Sequence, residues 1–527
     1  MKLETFFEKF DQFADAPDAV EKMRELVLDL AATGRLLPRK GEWETRSLKS
    51  LATKIGSGAT PAGGRESYFS KGIPLIRSMN VHFRGFDRTG LVFLSDEQAD
   101  ELSNVTVQAN DVLLNITGAS IGRVTIAPNE MAGARVNQHV TIIRPTSELF
   151  PRFLSMFLAS PSVQRMIDDI QVGATRQALT KGMIEQFAVP LPPLAEQKRI
   201  VAKVDELMAL CDRLALQQQE RETRHAALAR ASLARFADAP TPANLPFLFH
   251  PSYAIPPADL RKSILTLAVQ GKLVPQDPND EPAERGLGDC GVDLKRWAVA
   301  KEEERQDVPS SWTWIRFAGV GEQRLGKMLD AQKNKGESKS YLRNTNVQWM
   351  RFELDDVKEM RVEEREEEEL RLKHGDLLIC EGGEPGRCAI WRDDVPEMYF
   401  QKALHRVRPC DAILSEFLAL NLQIDCRNEV LAGYFTGATI KHLTGRSLSA
   451  YPIPIPPLAE QRRIVAKVEQ LMALVDALET QIAAARATAA NLLSALVAEL
   501  TGTPLNGKVS VPSTSTTGRR GRPRKSP

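Results

Sequence analysis

The pattern of apolar and polar positions predicts two long amphipathic helices, one in the middle of the chain and one near its end. After Pro457, apolar or small residues recur at alternating steps of four and three, which is the seam of a coiled coil. A similar pattern begins at Ile200, turns polar through residues 217–220 and becomes apolar again between Ala226 and Phe236. The seam of the later helix comprises Ile464, Val468, Leu471, Val475, Leu478, Ile482, Ala485, Ala489, Leu492 and Leu496.

Each predicted helix has about 40 residues, which gives a length of about 60 Å. A helix of this length with one apolar stripe needs a partner to cover the stripe. We expect the two helices to cover each other, and we expect antiparallel packing because a long segment joins them. A coiled coil between two separate chains is the alternative.

The helical pattern belongs to a duplication. Residues 190–204 return almost unchanged as residues 454–468, and both copies contain Pro-Pro-Leu-Ala-Glu-Gln-(Lys/Arg)-Arg-Ile-Val. Paired prolines suit the approach to a helix and its first turn. A shorter echo, with Gly-(Lys/Arg)-Leu at its centre, links residues 30–38 to residues 267–275. One large unit used twice predicts a pseudo-twofold molecule with two similar tasks.

Two segments of similar size, residues 42–193 and 308–457, read as short strands and turns. In each, an aspartate leads an apolar strand, at Asp111 and at Asp376, and a glycine-containing turn follows. We interpret these turns as tight connections between strands and not as nucleotide-binding loops. The residues between these shared strands and turns differ widely. The two segments therefore suit the same kind of recognition on different targets.

The sequence therefore predicts an α+β protein with two similar, strand-rich domains separated by two long antiparallel helices. Shorter helices are expected near residues 20–32 and 259–269. The Pro/Ser/Thr/Gly-rich end of the chain reads as a disordered tail. The predicted bounds are 1–41 for an N-terminal helical segment, 42–193 for the first domain, 194–307 for a central helical spacer region, 308–457 for the second domain, 458–502 for the C-terminal spacer helix and 503–527 for the basic tail.

Composition narrows the class of protein. The formal net charge is only +1, so any contact with nucleic acid must come from local clusters or be shared with a partner. Six cysteines lack the spacing of a zinc site or a disulfide framework. No apolar run has the length of a membrane span and the N-terminus does not read as a signal peptide, so we expect a cytoplasmic protein.

No catalytic constellation is found in the sequence. Residues 502–508 resemble a phosphate loop, but Val509 stands where a Ser or Thr would hold magnesium. Neither an adenine-methylation motif nor a strand–Gly-x-Gly–helix cofactor site occurs. We therefore expect a chain that is not an enzyme and that holds no cofactor or metal of its own.

The duplicated proline-led helix and the Gly-(Lys/Arg)-Leu echo resemble the DNA-specificity subunit of type I restriction–modification enzymes. The resemblance extends from the N-terminus to about Leu500. It implies two target recognition domains on an antiparallel helical spacer, which read a split double-stranded DNA sequence with an unspecified gap. It also implies two methyltransferase subunits and further restriction/translocase subunits as partners. Those partners would carry S-adenosylmethionine, ATP and magnesium.

Candidate DNA contacts follow from side-chain chemistry. Arginine and lysine hold guanine edges or phosphates, whereas asparagine and glutamine suit adenine. The alternative is that each residue is an ordinary surface or framework group, above all where the two copies match. The candidates are Arg77, Asn80, Arg123, Arg176, Gln177 and Lys181 in the first domain, and Arg343, Asn346, Arg387, Lys441 and His442 in the second.

The tail adds a candidate of another kind. Arg520-Gly521-Arg522-Pro523 resembles the core of an AT-hook, in which an extended Arg-Gly-Arg lies in a narrow A·T minor groove. A generic basic tail with sequence-independent attraction to DNA is the alternative.

Three other functions compete with the specificity subunit as an interpretation of the whole chain: an orphan DNA-binding regulator with the same fold, a fused restriction–methylation enzyme, and a coiled-coil scaffold. The missing catalytic motifs disfavour the enzyme, and the two divergent domains disfavour the scaffold.

Overall fold

The computed structural model describes most of the chain, in nine ranges. They are residues 14, 16, 18–38, 41–60, 68–172, 178–250, 253–330, 334–393 and 395–501. The chain divides into two compact units, one made of residues 1–220 and 484–527 and the other of residues 221–483. No helix in the described ranges is long and apolar enough to cross a membrane.

Helices and short strands alternate along the two domains and the segments between them. The helices are α1 (Ala19–Ala32), α2 (Asp96–Glu101), α3 (Pro151–Ala159), α4 (Pro161–Val172), α5 (Lys181–Glu185), α6 (Leu194–Asp238), α7 (Pro257–Val269), α8 (Ala283–Asp289), α9 (Glu364–Leu370), α10 (Ser415–Arg427), α11 (Gly445–Ala450) and α12 (Leu458–Thr501). The first domain contains β1 (Glu44–Ser47), β2 (Ala52–Ser57), β3 (Ile73–Ile76), β4 (Val81–His82), β5 (Gly85–Phe86), β6 (Val92–Leu94), β7 (Val112–Asn115), β8 (Val124–Ile126), β9 (Arg135–Val136), β10 (Val140–Pro145) and β11 (Ala188–Leu191). The second domain contains β12 (Thr313–Arg316), β13 (Gly321–Leu325), β14 (Glu337–Leu342), β15 (Val347–Gln348), β16 (Arg351–Phe352), β17 (Lys358–Val362), β18 (Leu377–Cys380), β19 (Cys388–Ile390), β20 (Tyr399–Phe400), β21 (Leu404–Pro409) and β22 (Pro452–Ile455).

The two domains share one sheet topology. The first has a four-stranded sheet in the order β2-β10-β7-β8 and a three-stranded sheet in the order β6-β3-β9. The second repeats this as β13-β21-β18-β19 and β17-β14-β20. Even the single parallel pairing within each three-stranded sheet recurs, as β3 with β9 and β14 with β20. The predicted pair of similar, strand-rich domains is confirmed.

The long helices α6 and α12 are here called the spacer helices, and the early part of each packs against the late part of the other. In the first unit, Leu207 and Cys211 from the early part of α6 share a core with Ala489 and Leu493 from the late part of α12. In the second unit, the late part of α6 shares a core with the early part of α12, where Ile464, Val468, Leu471 and Val475 are buried. The helices therefore run antiparallel within one chain, as predicted.

The predicted seam of α12 is not continuous. Ala485 is exposed, and burial resumes at Ala489. Four residues later Leu493 is fully buried, whereas Leu492, the residue predicted from the heptad, is only half-buried. The strict alternation of four and three is therefore wrong for this stretch, where alanines leave little apolar surface to cover.

The glutamine of the repeated motif fixes each spacer helix to its own domain. The Gln197 amide accepts a hydrogen bond from the Phe150 backbone N–H (2.7 Å) and donates to two carbonyls, those of Glu148 and Pro192. Gln461 repeats all three contacts, with the Leu414 N–H (2.8 Å) and two further carbonyls. Both side chains are buried. A buried amide can replace its bonds to water only if such partners are present, so the motif is a structural anchor.

The shorter echo also has a structural role. Gly34 and Gly271 follow α1 and α7 with φ of +72° and +67°, a conformation that favours glycine. A Cβ added at Gly34 would lie 2.8 Å from the Trp43 ring, and one at Gly271 would lie 3.0 Å from the Trp312 ring. Each glycine therefore ends a helix and lets a tryptophan that leads into a domain pack closely against it.

Candidate nucleic-acid interface

In the first domain, several loops converge on the glycine turn between β7 and β8. The side-chain amide of Asn115 donates to the Ser78 carbonyl (2.8 Å), which joins the turn to the loop after β3. The Thr117 hydroxyl is hydrogen bonded to His139 Nδ1, and the backbone N–H of Leu179 donates to the Ile116 carbonyl (2.9 Å). These contacts bring the predicted tight turn, the loop before β10 and the loop before α5 into one surface, which we call the first turn face.

The second domain builds the same surface from the turn between β18 and β19. The Asn344 side chain donates to the Gly382 carbonyl (3.1 Å), and the Glu381 N–H donates to the Ala403 carbonyl (2.9 Å). The Leu443 N–H donates to the Glu381 carbonyl (2.7 Å), and the His442 ring lies beside Gly382. We call this the second turn face. Gly118, Gly122, Gly383 and Gly386 all have positive φ, as expected for tight turns.

Four predicted DNA contacts lie in the framework beneath these faces. Asn80 is fully buried; its Oδ1 accepts from the Arg77 N–H (3.0 Å), and its Nδ2 donates to the Asp87 and Thr89 carbonyls. Asn346 makes the equivalent contacts with the Arg343 N–H and two carbonyls. The Arg77 and Arg343 guanidinium groups donate to the carbonyls of Gly90 and Asp356.

A base contact by either asparagine requires these interior bonds to break. Burial therefore argues against Asn80 and Asn346 as readers, and their DNA contact remains only a prediction. The same position and partners in both domains match the framework alternative that the sequence left open.

The predicted arginines of the glycine turns have different partners in the two domains. Arg123 is half-buried and its Nη1 lies 3.5 Å from His82 Nδ1. Arg387 pairs instead with Glu384 (2.8 Å) and donates to the Asn344 carbonyl (2.9 Å). Equivalent arginines thus lie beside a histidine ring nitrogen in the first domain and beside a carboxylate in the second.

The remaining candidates lie at the edge of the turn faces or outside the described ranges. Lys181 is exposed at the start of α5, with Glu185 at 3.8 Å, and both Lys441 and His442 are exposed on the second turn face. Side chains in such positions are available to phosphates or base edges. The other four, Arg176, Gln177, Arg520 and Arg522, lie outside the described residues.

Sequence reasoning missed several polar and aromatic residues of the faces. Trp349 lies in the tight β15–β16 hairpin and donates from Nε1 to Glu384 Oε1 (3.0 Å). Its positional equivalent in the β4–β5 hairpin is Phe83, which is 52% exposed. His82, beside Arg123, and His139, beside Thr117, add ring nitrogens that can donate or accept. The sequence did contain one indication of these residues, because the residues at equivalent turns of the two copies differ.

The thiols near the second turn face are not activated nucleophiles. Burial raises the pKa of Cys380 to about 11 and that of Cys426 to about 12. Both therefore stay protonated at neutral pH, and the thiolate is the reactive form. Within the described ranges, no group of three or more His, Cys, Asp or Glu side chains could hold a metal ion.

Comparison with known proteins identifies the family. The family model described as "Type I restriction modification DNA specificity domain" matches this chain twice, at residues 40–222 and 309–485. The chain belongs to this type I DNA-specificity family. The two matches together cover more than half of the sequence, and each spans one domain and the first part of a spacer helix.

Named relatives of this specificity family are distant in sequence. The type I restriction enzyme EcoEI specificity subunit from Escherichia coli is 25% identical over 67% of this chain and 66% of its own length. The EcoAI specificity subunit from Escherichia coli is 24% identical over 90% of this chain and 93% of its own length. A crystal structure of the HsdS subunit from Thermoanaerobacter tengcongensis is 18% identical, with a TM-score of 0.46, over 88% of this chain and 98% of that chain.

Proposed function

We propose that this chain is the DNA-reading subunit of a type I restriction–modification enzyme. In this proposal each domain reads one half of a split target, and the spacer helices set the number of unread base pairs between the halves. The observation that carries the proposal is the repetition of one domain framework with different residues on the two turn faces. Because the readers differ, the two half-sites differ, and the target is asymmetric.

The partners in this proposal are those that the family resemblance implies. We expect two DNA methyltransferase subunits, which bind S-adenosylmethionine, and restriction/translocase subunits, which use ATP and magnesium. The near-neutral charge of this chain fits a reader that shares phosphate contacts with partners, since phosphate contacts supply much of the affinity of DNA-binding proteins. Catalysis belongs to those separate chains. A reader without catalytic groups needs only to position the DNA.

Mapping of methylated bases in cells with and without this gene tests the proposal. We expect a split, asymmetric methylation motif that disappears when the gene is deleted. Purification of the chain from the same cells should recover a methyltransferase. Unchanged methylation together with a chain that purifies without a methyltransferase would favour the orphan regulator instead.

Exchange of one domain tests the division of labour. Replacing residues 43–186 with the matching segment of another family member should change one half-site and leave the other half-site and the gap unchanged. A variant that alters both halves would contradict independent reading by the two domains.

A further inference from the structure

Glu384 is an exposed carboxylate on the second turn face whose position is fixed in advance. Its Oε1 accepts a hydrogen bond from Trp349 Nε1 (3.0 Å), and its Oε2 accepts from Arg387 Nη1 (2.8 Å). Arg387 is itself held by the Asn344 carbonyl and is only 15% exposed, whereas Glu384 is 54% exposed. Two donors therefore orient the carboxylate, and each oxygen keeps a further lone pair toward solvent.

A negative charge on this face limits what it can bind. The carboxylate repels DNA phosphates, so it is favourable only against hydrogen-bond donors. In the major groove, the donors on base edges are the exocyclic amines of cytosine and adenine. Adenine presents its N7 acceptor next to the amine, which disfavours an adjacent carboxylate, whereas cytosine presents the N4 amine alone. Cytosine is therefore the better match.

We propose that Glu384 is a specificity-determining residue of the second domain that accepts a hydrogen bond from the N4 amine of a cytosine. This inference rests on the proposed DNA-reading function and deepens it. Trp349 and Arg387 act as positioning residues, because they hold the carboxylate in place before DNA arrives. Little side-chain entropy is then lost when the base is bound.

The described glycine turn of the first domain has no carboxylate equivalent to Glu384. Residues 117–122, which form this turn, contain no acidic residue, and Arg123 lies near His82 instead. Arginine donates hydrogen bonds, which suits the N7 and O6 acceptors of guanine. The inferred cytosine contact is therefore specific to the half-site that the second domain reads.

Selection from randomised DNA duplexes tests the inference with the intact complex, purified through this chain. The wild type should prefer cytosine at one position of the second half-site. Glu384→Gln should lose roughly tenfold discrimination at that position alone, because the amide also presents a donor. Glu359→Gln is the matched control: Glu359 is exposed on β17, accepts from the Ser338 hydroxyl (2.7 Å) and should change no base preference.

Different failures of this experiment have different meanings. Unchanged base preference in Glu384→Gln, or a change that Glu359→Gln reproduces, overturns the role of Glu384 while the proposed function stands. A wild-type complex that enriches no split motif overturns the proposed function itself. If Glu384→Gln does not assemble, Glu384→Asp decides, because it keeps the acceptor at shorter reach. Weaker cytosine preference at the same position supports the inference, and unchanged preference everywhere contradicts it.

Discussion

Replacing Gln461 with alanine tests whether the repeated glutamine fixes each spacer helix to its domain. The substitution removes three hydrogen bonds from a fully buried side chain and leaves the Leu414 N–H and two carbonyls without their partner. A net contribution of about 1 kcal/mol per hydrogen bond predicts a loss of about 3 kcal/mol in the free energy of unfolding, and the unpaired buried groups raise this loss toward about 5 kcal/mol. Gln197→Ala should cost a similar amount, because the twin side chain has the same three types of partner.

Hydrogen–deuterium exchange during urea unfolding of the full chain measures this loss for each unit separately. Gln461→Ala should lower protection in residues 221–483, and Gln197→Ala should lower it in the other unit. Gln461→Met keeps most of the side-chain volume and isolates the hydrogen bonds from the cavity. Gln470→Ala is the control on the same helix, because Gln470 is exposed and accepts a hydrogen bond from Lys467 Nζ (3.0 Å) at the surface, so its replacement should change stability by less than about 0.5 kcal/mol. If Gln461→Ala is no more harmful than Gln470→Ala, the anchor role is wrong.

Three further predictions concern pH, gap length and the tail. Burial lowers the pKa of His405 below its ordinary value of 6.5, so the unfolded state binds the proton more readily than the folded state. The stability of the second unit should therefore fall as the pH drops below about 6.5. His405→Thr, which introduces the residue found at the equivalent first-domain position (Thr141), should remove this pH dependence in thermal melts at pH 7 and pH 5.5. Deleting two heptads from α12 between Val468 and Ala489, with the opposing heptads of α6, removes about 21 Å of helix. The unread gap in the methylation motif should then shorten without a change in either half-site. An unchanged gap would refute the idea that the spacer helices set the gap length. Stopping the chain at Gly518 should weaken DNA binding measured at low salt and leave the target sequence unchanged; a new target would show that the tail reads bases.

The duplication and the helical seam made most of the fold predictable. Regular spacing of apolar residues predicts a long helix, and a repeated landmark predicts that two domains share a framework. The short strands were harder. Strands β4 and β5 have two residues each, too few to show an alternating pattern, and the parallel pairing of β3 with β9 joins segments about 60 residues apart. Such pairings depend on tertiary packing that local sequence does not record.

The candidate site was less predictable, because residue type alone does not separate a reader from a framework group. Asn80 was selected since amides suit adenine, yet its amide is buried and bonded to its own domain. Glu384 was not among the candidates, which were selected mainly for arginine, lysine and amide chemistry, yet it is an exposed and oriented acceptor. Burial and bonding distinguish the two cases, and neither is visible in a single sequence. The disagreement between aligned turns was the one available signal.

The contrast between framework and turn face explains how one fold can serve two targets. Asp111 and Asp376 are both buried and pair with Arg144 and Arg408 at 2.7 Å, so replacing either arginine leaves an uncompensated buried carboxylate and costs about 3–5 kcal/mol. Exposed positions carry no such penalty, and substitutions there usually change stability by less than about 0.5 kcal/mol. Differences between the copies are therefore tolerated where side chains face solvent, at positions such as Phe83 and Glu384. Because those positions lie on the turn faces, each domain can acquire its own base preference without altering the framework that holds it on the spacer helices.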